Sequence, residues 1–193
     1  MTIKIYQDMD GCVCDFALAI RDEIVRLASL SDDEIEKLES KTMRKGLKKY
    51  IKVYGRGYDL QVHEIDDKHV KPLLYKIGCQ EGWFYGLPTM EHNGLWAWLK
   101  DSGYEYEFLT APIGVYAEED KTRYVRDILG SQATVNVVPR SEKVTFAKPN
   151  AILIDDHPST IEEWNNAGGL GFLWTGKDGG DIEALKTFVE GLQ

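Results

Sequence analysis

Cysteine is scarce in this sequence, with three residues among 193: Cys12, Cys14 and Cys79. An odd number without metal-ligand spacing argues against a disulfide framework and a zinc site, and leaves them as reduced small hydrophobes. No apolar run approaches the ~18 residues that a membrane span needs. A strand-like segment stands where a signal sequence would place a basic and then an apolar stretch. The expectation is a cytoplasmic protein with no membrane partner. Positive charge is also short: 23 Lys and Arg face 32 Asp and Glu, a formal net charge of -9. Binding to long nucleic acid is dominated by Lys and Arg contacts to phosphate, so this balance disfavours it. A small phosphorylated ligand needs only a local positive pocket. Internal repeats and low-complexity segments are absent too.

With 43% apolar and 28% charged residues, the chain can bury one core plus a small appended subdomain. Residues 3–7 read as a short strand. Residues 15–30 carry Phe16, Ile20, Ile24 and Leu27 at spacings of three or four, the pattern of an amphipathic helix. Ser31 followed by Glu34 resembles a capping box opening a second helix. Helical material rich in Lys and Glu continues over 32–53, breaks at 54–58, and resumes over 59–78 with a stop near Pro72. From Trp83 onward the pattern changes to a helix over about 89–102, a strand at 104–109, a helix near 117–130, and strands at 134–138 and 151–154. Alternating strands and helices imply a parallel sheet with right-handed crossovers. Residues 17–85 then form an insertion after the first strand.

The most informative stretch is Lys4-Ile5-Tyr6-Gln7-Asp8-Met9-Asp10-Gly11. A short apolar run ends in two carboxylates one residue apart and a glycine. Where a strand frays into a loop at its C-terminal end, both Asp8 and Asp10 can turn into the crevice outside the sheet, and Gly11 allows the bend. Two anionic groups so close repel, so the pair calls for a cation, a shared proton or a suitable substrate. A polar turn would account for the pattern equally well on its own. A calcium loop would not, since counting twelve from Asp8 reaches Ala19 where a bidentate Glu is needed.

Three further pieces fall at predicted strand ends or in the loops beside them. Phe108-Leu109-Thr110-Ala111-Pro112 closes a strand on a hydroxyl. Lys143 lies in a loop before the next strand. Ala151-Ile152-Leu153-Ile154-Asp155-Asp156 is an apolar run ending in another acidic pair. Singly these read as a helix cap, a solvated lysine and a turn. Jointly, in this order, they are hard to obtain by accident.

Through these four regions the chain resembles the haloacid dehalogenase superfamily of phosphohydrolases. Within that superfamily, Asp8-Met9-Asp10-Gly11 continuing to Asp15-Phe16, Thr110-Ala111-Pro112-Ile113, Leu153-Ile154-Asp155-Asp156, and Trp83-Phe84 ahead of Leu87-Pro88 are similar to the 5'(3')-deoxyribonucleotidases. The resemblance implies a Rossmann-like parallel sheet flanked by helices, with residues 1–16 and 86–193 as the phosphatase core and 17–85 as a small, mostly helical cap. It implies an Mg2+-dependent phosphomonoesterase for nucleoside monophosphates, in which Asp8 is the nucleophile and Asp10 acts as acid and then base. Thr110 donates to phosphate and Lys143 neutralises charge, with Lys148 the alternative for that role. Asp8, the Asp10 main-chain carbonyl and Asp155 or Asp156 would hold the metal. Phe16, Trp83 and Phe84 could stack a base or serve simply as cap and core packing, and Ala111 replaces a serine, removing one donor to phosphate. A homodimer is compatible with this reading. Another small phosphate ester, a nucleic-acid 3'-phosphate end, or a non-catalytic binding role on the same fold stand as alternatives.

Overall fold

The first strand of the chain runs through the middle of a five-stranded, wholly parallel sheet. The computed structural model describes residues 2–176 and 180–192. In chain order, β1 (Lys4–Gln7) leads to four helices, α1 (Phe16–Ala28), α2 (Asp32–Lys37), α3 (Lys41–Tyr54) and α4 (Lys71–Gly78), and then to α5 (Leu95–Asp101) and β2 (Glu105–Thr110). α6 (Ala117–Arg123), β3 (Val135–Val137), β4 (Ala151–Asp155), α7 (Pro158–Asn166), β5 (Leu170–Leu173) and α8 (Gly180–Glu190) complete the fold. The strand order is β3-β2-β1-β4-β5.

Side chains alternate across a strand, and the two faces of this sheet are buried by different partners. Ile5, Phe108, Ile152 and Ile154 join a cluster with Leu95, Leu99, Tyr124, Leu185 and Val189. Tyr6, Leu109 and Leu153 point the other way and pack with Ile161 and Trp164 of α7. The Tyr6 and Trp164 rings meet edge to face at 5.7 Å. Burial on both faces explains why all five residues of β4 are buried and why the first four, Ala151 to Ile154, read as a continuous apolar run.

The insertion between β1 and β2 has an apolar cluster of its own, built from Ile20, Ile24 and Leu27 of α1, Leu47 and Tyr50 of α3, and Leu73 and Ile77 of α4. Its helices start where the sequence signals. Asp15 accepts from the backbone N–H of Leu18 at 3.0 Å, and Ser31 and Glu34 form the reciprocal capping box. Three expectations need correction. The helical stretch at 32–53 is two helices, because Ser40 caps a fresh start at α3. The stretch at 59–78 is helical only from Lys71 apart from a short turn at Val62–Glu64, and Pro72 starts the helix instead of stopping it. A proline in the first turn costs no hydrogen bond, since that N–H has no intrahelical acceptor anyway. The reading also merged a turn at Glu91–Asn93 with α5, which Gly94 separates at φ +72°.

Candidate active site

The C-terminal ends of β1, β2 and β4, adjacent in the sheet, bring together residues far apart in sequence, as open α/β sheets do at their ligand crevice. Asp8 continues β1, its N–H bonded to the Ile154 carbonyl at 2.9 Å. Its own carbonyl accepts from the Gln7 side chain at 2.8 Å. The chain then folds on itself: the N–H groups of Cys12, Val13 and Cys14 all point at the Met9 carbonyl. This tight loop directs Asp10 back toward the crevice.

Asp8, Asp155 and Asp156 each offer a carboxylate oxygen within 4.8 Å of the others. Lys143 is almost completely buried between them, with Nζ 3.0 Å from Asp8 Oδ1 and 2.7 Å from Asp155 Oδ2. Burial alone would lower the pKa of this lysine, but Asp8 and Asp155 outweigh it and raise it overall. The second oxygen of Asp155 accepts from the His157 backbone N–H at 2.8 Å. Asp156 stands at the exposed rim. Desolvation, then the charges of Asp8 and Asp155, push its carboxyl up to about 7. Desolvation and Asp8 raise Asp155 likewise. Three hard oxygen donors crowded at one point fit a small divalent cation such as Mg2+, which prefers carboxylate oxygens and relieves their mutual repulsion.

A cleft of about 380 Å³ opens beside this cluster, a volume suited to a small ligand. Asp10, Gly11, Phe16, Pro112, Ile113 and Asp156 form its floor and near wall, and Ile65, Asp66, Lys71, Leu74 and Tyr75 of the helical insertion form the far wall. The insertion therefore supplies one wall of the cleft. Among the aromatic residues singled out in the sequence, Phe16 lines this cleft and stacks on Phe84 at 5.7 Å. Phe84 is 1% exposed and sits behind the site, in the core. Trp83 is half-buried between the two apolar clusters and is not part of the cleft wall. Ala111 follows β2 and presents its carbonyl inward, and Lys148 is exposed on the surface. His157 faces outward, against Arg140 at 2.9 Å.

One residue in this centre was not expected from the sequence. Lys121 of α6 is fully buried, and its Nζ donates to Asp10 Oδ2 at 2.8 Å, Thr110 Oγ1 at 2.7 Å and the Ala111 carbonyl at 2.8 Å. The signal for it was present. Ala117, Asp120, Lys121, Tyr124 and Val125 recur with the spacing of a buried helical stripe, and two of the five are charged. Charges in an apolar stripe mark a paired, purposeful burial.

No protein-family model matches the chain, and no curated protein matches it by sequence. Solved structures match it by fold. A hydrolase from Streptococcus pneumoniae TIGR4 aligns with a TM-score of 0.51 and 14% identity, covering 98% of this chain and 100% of that one. A HAD-superfamily hydrolase of subfamily IA from Geobacter sulfurreducens PCA also aligns with a TM-score of 0.51, at 10% identity over 97% of this chain and 96% of that one. At such identities the likeness is one of architecture: the five-stranded parallel sheet with flanking helices is an α/β fold shared with these two hydrolases.

Proposed function

We propose that this protein is an Mg2+-dependent phosphomonoesterase that dephosphorylates nucleoside monophosphates through an aspartyl phosphate on Asp8. The observation that carries this reading is the Asp8 carboxylate held against the buried Lys143 ammonium at 3.0 Å, inside a three-carboxylate cluster at the mouth of a small cleft. Bound Mg2+, held by Asp8, Asp155, Asp156 and the Asp10 main-chain carbonyl, would supply charge neutralisation for the phosphate oxygens.

An Asp8 oxygen attacks phosphorus, and the bond from phosphorus to the sugar oxygen breaks. Asp10 gives its proton to that departing oxygen. In the second half Asp10 takes a proton from water. The water oxygen bonds to phosphorus, the Asp8–phosphorus bond breaks, and inorganic phosphate and free Asp8 are restored. Lys143 opposes the negative charge on Asp8 and the transferring group throughout, while Thr110 donates its hydroxyl hydrogen to a phosphate oxygen. Residues 17–85, as a cap, exclude water and contact the leaving group, with Phe16 and Tyr75 offering aromatic faces to a base.

A second reading, a small non-nucleotide phosphate ester, is favoured by the position of Trp83 and Phe84 outside the cleft wall and by the Lys71–Asp66 pair at 3.3 Å within it. A hydrolysis screen over nucleoside monophosphates, sugar phosphates and oligonucleotide 3'-phosphates, with and without Mg2+, separates the readings. Nucleoside monophosphates are expected to give the highest kcat/KM, and no release of phosphate from any ester would sink the proposal.

A further inference from the structure

We infer that Lys121 is a positioning residue that orients two groups of the reaction, the Asp10 carboxyl and the Thr110 hydroxyl, without touching substrate; this rests on the phosphatase reading above. An ammonium has three hydrogens and no lone pair. Here all three are spent on Asp10, Thr110 and the Ala111 carbonyl, each within 2.8 Å. The remaining side of the ammonium is closed by the Phe84 ring, 4.4 Å from Nζ to the ring centroid. Nothing of this lysine is left to bind a phosphate oxygen.

The consequence for Thr110 is a matter of hydrogen count. Its oxygen accepts from Lys121, which cannot accept in return, so its single hydrogen must point elsewhere. That leaves the hydroxyl as a committed donor. Asp10 is gripped from two sides, by Lys121 on Oδ2 and by the Cys14 thiol, 3.5 Å from Oδ1. The two buried lysines thus divide the two catalytic carboxylates, Lys143 serving Asp8 and Lys121 serving Asp10.

The same turn of α6 secures the roof over Lys121. Asp120, 2% exposed, faces the backbone N–H groups of Gly82 and Phe84, which oppose the rise in its pKa that desolvation causes, and it packs α6 against the segment that carries the Phe84 ring. One helical turn thereby ties the end of the insertion to the acid–base group.

Lys121→Met keeps the apolar stem and removes the donors. We expect kcat for a nucleoside 5'-monophosphate to fall about 10²-fold with KM within about twofold, and a loss of about tenfold or less for p-nitrophenyl phosphate, whose leaving group needs no proton. Asp10→Asn combined with Lys121→Met should lose less than the product of the two single losses, because the lysine acts largely through Asp10. Lys121→Gln, which retains an NH2 donor, should fall between Met and wild type, with thermal melting recorded for every variant. A loss carried by KM, losses independent of the leaving group, or multiplicative losses would overturn the inference. Loss of folding in both variants would overturn it as well, since the lysine would then be structural. A wild-type enzyme inert toward every phosphate ester sinks the phosphatase reading instead, which keeps the two failures distinct.

Discussion

Gly11 turns at φ +74°, and a β-carbon placed there would lie 2.2 Å from Asp156 Oδ2. Both facts forbid a side chain: the left-handed backbone costs roughly 1–2 kcal/mol for an L-residue, and the carboxylate would have to leave its place. Gly11→Ala should therefore weaken the Mg2+ activation constant by about tenfold or more with a modest drop in thermal stability. An unchanged constant would show that Asp156 is not a ligand. Asp8→Asn preserves shape and removes the nucleophile and a donor, so turnover of p-nitrophenyl phosphate should vanish while the circular dichroism spectrum stays native. Near-wild-type turnover would end the assignment. The lysines are told apart by their surroundings. Lys143→Met leaves the three clustered carboxylates without their ammonium and should lower kcat by about 10²-fold, whereas Lys148→Ala, at an exposed site, should stay within about twofold of wild type. The reverse order would relocate the cation.

Among the elements, four of the five strands and the loops beyond them were legible, β5 was not read, and the insertion was less so. β1 and β4 are short, buried on both faces and end in acidic pairs, so their apolar runs and their carboxylates could both be read directly from sequence order. Lys121 escaped because it lies eleven residues beyond Thr110, inside a helix, and reaches back to the strand end through a long side chain, a contact that strand-end reasoning does not search. Trp83 and Phe84 were read from residue type as rings for stacking or for packing, and the turn at Phe84–Gly86 decides for packing at Phe84 by directing it into the core behind the cleft. Pro72 was read as a stop because proline punctuates helices from either side, and only the fold decides which. α4 then brings Tyr75, a residue the sequence reading passed over, to the cleft wall. From this follows a test of the insertion as a selector. Phe16→Ala and Tyr75→Ala should raise KM for nucleotides by about tenfold and leave KM for p-nitrophenyl phosphate nearly constant, since the small ester does not span the cleft. Equal changes for both substrates would make these rings packing groups and strip the insertion of its role in choosing the base.

At the scale of the whole molecule, a protein of net charge -9 gathers three carboxylates at one point, and that concentration has a thermodynamic signature. Asp156 is held up to about 7 in the folded protein against an ordinary 3.8. Between those values the native state keeps a proton that the unfolded chain has already released. Stability then falls as pH rises through that window, because the native state binds more protons than the unfolded one. Asp155, also raised, acts in the same direction. Lys143 does not contribute here: its raised pKa yields stability that is complete below its unfolded value of 10.5 and fades only above it. A divalent cation favours the ionised carboxylates and competes with the proton, so its stabilisation should grow as the proton leaves. The expected outcome is a metal-free Tm that declines from about pH 5 to about pH 8, and an Mg2+-induced rise in Tm that widens over the same interval. Calorimetry at fixed ionic strength, with Ca2+ and a monovalent salt as controls, reads both. A rise that is constant with pH, or largest at the acid end, would mean that the ion does not displace this proton and that the acidic cluster is not where it binds.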